Sequence, residues 1–326
     1  MGRKRVALIT SFTVDIIKIG SNIYEKIGGP AYYSGLTLKT LGFDPIVITA
    51  LGRDGRKKVG ELLSASNEHQ DLEILDTDPS CDSIYTFHHT YTSVGRSSMI
   101  LKTGCRIKID SIINNISKDA QWILVSPVFK EVVPEDIRKI SFTKNTALDL
   151  QGYGREIEDQ RVVSSLDNIR RNIRELPRIG IVHLSSDDIR SNTSDHEKDL
   201  ERLSFLANKA DIIAYTIGSR GGYLGLVLGE RERGYDERNE GRMIEWYYIP
   251  PYTETDSGDP TGCGDIFLAS IVSGMMMNHS IIKAAVRASV ISGMRVSRGF
   301  PIKTNTSEID NIVEMLGRRT YRVATI

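Results

Sequence analysis

The chain lacks a surplus of charge of either sign. Across 326 residues, 42 Lys and Arg balance 42 Asp and Glu. Proteins that bind nucleic acid or anionic membranes carry a basic excess, so neither kind of partner is expected. There is no run of about twenty apolar residues that could span a bilayer. The basic opening Met1–Arg5 leads straight into Val6-Ala7-Leu8-Ile9-Thr10, too short for a signal-peptide core and better read as a first buried strand. Cysteine is scarce: Cys81, Cys105 and Cys263 stand far apart without metal-ligand spacing, so a reduced, cytoplasmic setting is expected. No Gly-x-x-x-x-Gly-Lys-[Ser/Thr] occurs, which disfavours a P-loop NTPase. No Gly-x-Gly-x-x-Gly follows the first strand, which disfavours a Rossmann dehydrogenase. Internal repeats and low-complexity linkers are also lacking.

What is present is alternation. Short β-rich apolar runs at Val6–Thr10, Pro45–Ala50, Trp122–Val125, Thr146–Leu150, Ile179–Leu184 and Ile212–Ile217 read as buried strands. Between and after them, helices are expected at Tyr32–Leu41, Lys57–Ala65, Pro134–Ile140, Ser164–Leu176, Glu197–Lys209, Gly264–Met277, Ile281–Arg298 and Glu308–Leu316. This order predicts an α/β protein, a doubly wound and mostly parallel sheet with helices on both faces. Ligands in such sheets bind beyond the carboxyl ends of the strands. Two stretches break the alternation, 14–27 and 84–108, and read as antiparallel strand pairs. The charge- and glycine-rich Gly229–Arg242 reads as a surface loop or hairpin.

The most informative stretch is Asp259-Pro260-Thr261-Gly262-Cys263-Gly264-Asp265, which opens the apolar run Ile266–Val272. Glycines before a helix expose backbone N–H groups at its positive end, and such an end binds anions. An aspartate beside them could accept a proton from a hydroxyl. Anion cradle and base together are what phosphoryl transfer to an alcohol requires. The plainer alternative is an Asp/Gly turn capping a buried helix.

The heptapeptide resembles the signature of the ribokinase-like (PfkB) carbohydrate kinases, usually Asp-Thr-x-Gly-Ala-Gly-Asp. Gly262, Gly264 and Asp265 match; Pro260 and Cys263 replace the usual Thr and Ala. Gly28-Gly29-Pro30-Ala31, Ala50–Gly55, Ser126-Pro127, Asp149-Leu150-Gln151-Gly152 and Thr216–Gly221 resemble further motifs of that family, in family order from about Val6 to Gly299. The resemblance implies one ribokinase-like domain over residues 1–326, in which the strands near 14–27 and 84–108 form a small β-sheet lid, with a homodimer through that lid as one option. It implies ATP and Mg²⁺ as cofactors and a small polyol, inositol, sugar or sugar-acid acceptor.

Roles follow residue by residue. Asp265 is the expected base, with the N–H groups around Gly262, Cys263 and Gly264 stabilising the transferred phosphoryl group. Asp15, Gly28, Gly29, Tyr33 and Arg155 are expected at the acceptor, Tyr33 standing where many members have Asn. Arg96 is a further candidate for phosphate or acceptor. Thr216, Gly218, Ser219, Gly221 and Gly264 are expected at the nucleotide. Ser185-Ser186-Asp187-Asp188 falls where the family has Asn-x-x-Glu, so Asp188 is expected to reach Mg²⁺ through water. Cys263, at a helix N-terminus, is expected to have a depressed thiol pKa. Adjacent His88 and His89 point to opposite faces of a strand and so do not chelate one metal. A nucleoside kinase with Tyr85, Phe87 and Tyr91 stacking on a base, or a catalytically silent ligand-binding protein, are the open alternatives.

Overall fold

The structure, a computed structural model, describes residues 4–65, 72–92, 95–110, 112–113, 116, 119–141, 145–191, 196–229, 242–255 and 258–326. The hairpin tip at 93–94, the Arg96 side chain and residues 230–241 of the charge-rich segment lie outside the described residues. Strands β1 (Arg5–Thr10), β2 (Thr13–Ile19) and β3 (Asn22–Gly28) lead into helix α1 (Pro30–Thr40); β4 (Asp44–Thr49), α2 (Gly52–Ala65) and β5 (Glu73–Asp76) follow. Next come β6 (Tyr85–Thr92), β7 (Gly95–Lys102), β8 (Trp122–Ser126), α3 (Pro134–Ser141), β9 (Asn145–Asp149), the short α4 (Gln151–Gly154), β10 (Arg155–Glu158), β11 (Arg161–Ser164) and α5 (Leu166–Asn172). The last part holds β12 (Ile179–Ser185), α6 (His196–Arg202), β13 (Ala210–Thr216), β14 (Gly222–Val227), β15 (Ile244–Ile249), α7 (Cys263–Met276), α8 (Ile281–Arg298), α9 (Thr306–Gly317) and β16 (Tyr321–Thr325).

A ten-stranded sheet runs β16-β15-β14-β13-β12-β9-β8-β1-β4-β5. All six strands expected from the sequence sit side by side in it, as a parallel block from β13 to β4. Their continuous apolar runs are explained by burial on both faces. Val6 and Leu8 of β1 enter one core cluster with residues of α1, α7 and α8, while Ala7 and Ile9 enter the other with residues of α3 and α5. Successive side chains of a strand point to opposite faces, so one strand serves both cores. The chain starts mid-sheet at β1, builds outward to β4 and β5, then returns to β8 on the other side. Such a reversal of direction leaves a crevice at the strand ends.

The second sheet, β10-β11-β7-β6-β2-β3, contains the expected hairpins of β2 with β3 and β6 with β7. It also takes in β10 and β11, over residues 155–164, where the sequence reading assigned no strand. The helix expected from Ser164 begins at Leu166 instead, because the Ser165 side chain accepts a hydrogen bond from the Asn168 N–H and caps α5. The helix expected over Glu197–Lys209 is split into α6 and a 3₁₀ turn, Ser204–Asn208. Beyond β13 the antiparallel β14, β15 and β16 extend the large sheet.

The reduced state expected of the cysteines does not hold for two of them. Cys81 and Cys105 form a disulfide, with Cα atoms 6.2 Å apart. They are 24 residues apart in sequence but flank the β6–β7 hairpin, which brings its two ends together. Among the described residues, no helix is long and apolar enough to cross a membrane.

Candidate active site

The signature loop is held by its first aspartate. Asp259 accepts a hydrogen bond from the Thr261 N–H at 2.9 Å, one from Arg295 at 3.1 Å and one from Lys26 of β3 at 3.2 Å. Burial opposes ionisation of Asp259, but these hydrogen bonds and the two cations hold its pKa at about 2. Gly262, the N-cap of α7, has φ +82°, and a Cβ there would come within 2.3 Å of Tyr33 Cγ. Only glycine satisfies both conditions. Tyr33 is 2 % exposed; its ring lies against Gly262, Tyr32 and Phe300, and burial raises its pKa. Tyr33 thus supports the loop while also lining the cleft.

The helix end beyond Gly262 has the expected character with a changed division of labour. The Cys263 N–H donates to the Pro260 carbonyl at 3.1 Å, and that of Ile266 to Gly262 at 2.9 Å. The N–H groups of Gly264 and Asp265 have no partner among the described residues. They, rather than Cys263, are the amides free to meet an anion. The Cys263 thiol is also unlike the expectation: burial pushes it up to about 12, against the opposing pull of Arg295.

Asp265 lines a cleft of about 1690 Å³ bounded by residues of both sheets. Some of its surface is open to the cleft, while its carboxyl is closely enclosed by protein. That enclosure, with the charge of Asp149 next, pushes its pKa up to about 8; His183 and Arg155 act in the opposite direction. The Ser34 hydroxyl of α1 donates to the Asp265 main-chain carbonyl and ties the two helices.

One end of the cleft carries Asp15, Gly29, Phe87 and His89. The Asp15 carboxylate accepts from the Thr13 hydroxyl at 2.8 Å. A Cβ on Gly28 would lie 2.2 Å from Asp15 Oδ2, and one on Gly29 (φ +83°) 2.6 Å from the Ser11 carbonyl. The glycine pair therefore lets the β3–α1 turn close directly over the carboxylate. His89 has Nδ1 2.8 Å from the Ser98 hydroxyl, Nε2 3.7 Å from Asp15, and its ring stacked on Phe87. The sequence singled out His89 only as a residue that, facing away from His88, does not share a metal with it.

Thr216, Gly218, Ser219 and Gly221 line the same cleft, following β13. Asp188 is turned back on its own loop. One of its oxygens accepts from both the N–H and the hydroxyl of Ser185, at 2.8 and 2.6 Å. Burial, then Asp149, raises its pKa. Arg155 donates to the Val128 carbonyl at 2.8 Å and lends positive charge to Asp188 and Asp265. Two residues of the site escaped sequence reading. Arg295, 6 % exposed, lies within 6 Å of the Tyr33 and Phe300 rings. His183, 2 % exposed, pairs with Asp149 at 2.8 Å.

No family model and no curated protein matches the chain by sequence. Solved structures do match by fold. A pyrophosphate-dependent kinase in the ribokinase family, complexed with a pyrophosphate analog and myo-inositol, superposes with a TM-score of 0.68 at 16% identity, covering 94% of this chain and 99% of that one. Arabidopsis thaliana ribokinase, complexed with ribose and ATP, gives 0.67 at 14% identity, over 96% and 99%. Burkholderia thailandensis nucleoside kinase, in complex with inosine, gives 0.63 at 16% identity, over 97% and 100%. The chain has the ribokinase-like fold over nearly its whole length.

Proposed function

We propose that the chain is a kinase that transfers the terminal phosphoryl group of ATP to a hydroxyl of a small polyhydroxylated acceptor. The observation that carries this reading is the placement of Asp265 in the shared cleft, beside the free N–H groups of Gly264 and Asp265 and with its pKa pushed up to about 8. A carboxylate tuned toward neutral pH is an effective general base, and amides at a helix end stabilise charge on a transferring phosphoryl group. Thr216, Gly218, Ser219 and Gly221 would line the donor. Asp15 would grip neighbouring hydroxyls of the acceptor, being an acceptor-only group below the Gly28-Gly29 turn.

Magnesium fits this arrangement through water. Ser185 occupies one Asp188 oxygen, and the other has no partner among the described residues. Among those residues no three His, Cys, Asp or Glu side chains converge to hold a bare ion. Mg²⁺ keeps several waters and binds chiefly through phosphates, so one carboxylate reached through water is enough. Bound there, it would offset negative charge on the donor phosphates. The enclosed placement of His89 and Phe87 beside Asp15 favours a compact ring-shaped polyol such as a sugar or inositol. The strands near 13–28 and 85–102 would act as the lid that excludes water from the reaction.

The test is direct. Purified protein is mixed with Mg²⁺ and ATP, or in parallel pyrophosphate, and a panel of sugars, sugar acids, inositols and nucleosides. Phosphorylated product is read by mass spectrometry. ATP with a sugar or inositol should give product; a panel without any product would overturn the reading.

A further inference from the structure

His183 occupies an unusual position for an imidazole. It lies near the end of β12, in the interior of the large sheet, with its strand register opposite Asp149 of β9 on one side and Ala214 of β13 on the other. Nδ1 is 2.8 Å from Asp149 Oδ2, and Nε2 is 3.3 Å from the Thr216 hydroxyl. Asp149 is itself fixed, because its other oxygen accepts the Gln151 N–H at 2.7 Å. A carboxylate can only accept, so Nδ1 carries a proton, and the hydroxyl can accept a hydrogen bond from an Nε2–H as well. Above the ring is the first turn of α7: a Cβ on Gly264 would sit 3.2 Å from His183 Cε1, and the Phe267 ring packs 5.9 Å away. The imidazole is therefore the floor beneath the helix end that presents Gly264 and Asp265.

We propose that His183 is a positioning residue for the transfer: a buried imidazolium, pinned by Asp149, that supplies fixed positive charge beneath the anion-binding turn and keeps Asp265 able to ionise. The proposal rests on the kinase reading of the same cleft. The charged groups around the ring are Asp149 from β9, Asp188 from the loop after β12, Asp265 from α7 and, beyond the two latter, Arg155 of β10. Burial disfavours a charged imidazole, but the Asp149 charge and hydrogen bond, with Asp188 and Asp265, outweigh it and raise the His183 pKa. Without the imidazolium, Asp265 would face two carboxylates with Arg155 as the next positive charge to offset them. The same charge lies against Gly264, beside the helix end where negative charge on the transferring group would collect.

The experiment has two arms on the full chain. In the first, imidazole carbon and proton shifts of the six histidines are followed against pH by NMR, and the His183 signal is assigned by its loss in His183→Gln. It should remain that of an imidazolium at about pH 7.5, where an ordinary histidine is mostly neutral. Asp149→Asn should move that titration to lower pH, which also assigns the signal if the Gln variant does not fold. A neutral His183 ring at that pH overturns the proposal. In the second arm, kcat is measured against pH. His183→Gln should move the acid limb upward by about one pH unit or more, with acceptor KM within about two-fold. An equal loss at every pH, with the limb in place, would mean a packing role only and would overturn the proposal. Absence of product from wild type with every donor and acceptor would refute the kinase reading instead, and the NMR arm would still decide the charge on His183.

Discussion

A base that must take a proton from an alcohol works best when its pKa lies near the working pH. Enclosure and the Asp149 charge push Asp265 up to about 8, so in the free protein it is protonated below that pH and ionised above it. The kcat/KM for the acceptor, which reports the free enzyme, should therefore rise with pH through this region and level off above it. The sign for stability is the reverse. A carboxyl whose folded pKa is raised stabilises the fold below the unfolded value, near 4, and that contribution is lost as pH climbs toward about 8. At the acceptor end, Asp15→Ala removes a charged hydrogen-bond acceptor and should raise acceptor KM about ten-fold or more, leaving the ATP KM nearly unchanged. An equal rise in both would show that Asp15 supports the fold. For Cys263 the expectation is quiet chemistry: with its thiol pushed up to about 12, alkylation at neutral pH should be slow, and Cys263→Ala should keep activity within a few-fold. Rapid alkylation of native protein would contradict the enclosure described for it.

At the scale of elements, the signature turn and the helix it opens were legible, because glycine spacing followed by an apolar run is a local pattern. Gly262 illustrates what the pattern demands in three dimensions. Gly262→Ala places a Cβ at φ +82° and against Tyr33, and should cost about 1–3 kcal/mol of stability together with most of the turnover. Thermal unfolding and activity measured on the same preparation check both. The six buried strands were legible for the same local reason. The β10–β11 pair was not, since its four-residue strands, Arg-Glu-Ile-Glu and Arg-Val-Val-Ser, carry too short an apolar pattern to stand out as strands. His183 was illegible for a different reason. A lone histidine in a buried strand looks like packing, and its partner Asp149 is 34 residues away. Only the adjacency of β9 and β12 in the sheet puts the two side chains in contact.

At the scale of the molecule, the order of motifs along the chain indicated the architecture, because Asp149, Ser185 and Thr216 lie at the carboxyl ends of parallel strands of the large sheet and the fold gathers them, with Gly29 after a strand of the second sheet, into one cleft. The disulfide was hidden by the same long-range geometry: cysteines are paired by the hairpin between them, not by their spacing. Closing a loop of this length restricts the unfolded chain, so Cys81→Ser should lower stability by about 3 kcal/mol relative to the oxidised protein, and a reductant should do the same to wild type but not to the variant. Unfolding curves with and without reductant measure this. The central claim, that Asp265 is the base of a phosphoryl transfer, is tested most directly by comparing wild type with Asp265→Asn on an acceptor found in the panel. Asparagine keeps the size but cannot take the proton. Turnover should fall by about two to four orders of magnitude while ATP binding, followed by calorimetry, persists. Turnover close to wild type in the asparagine variant would contradict the account.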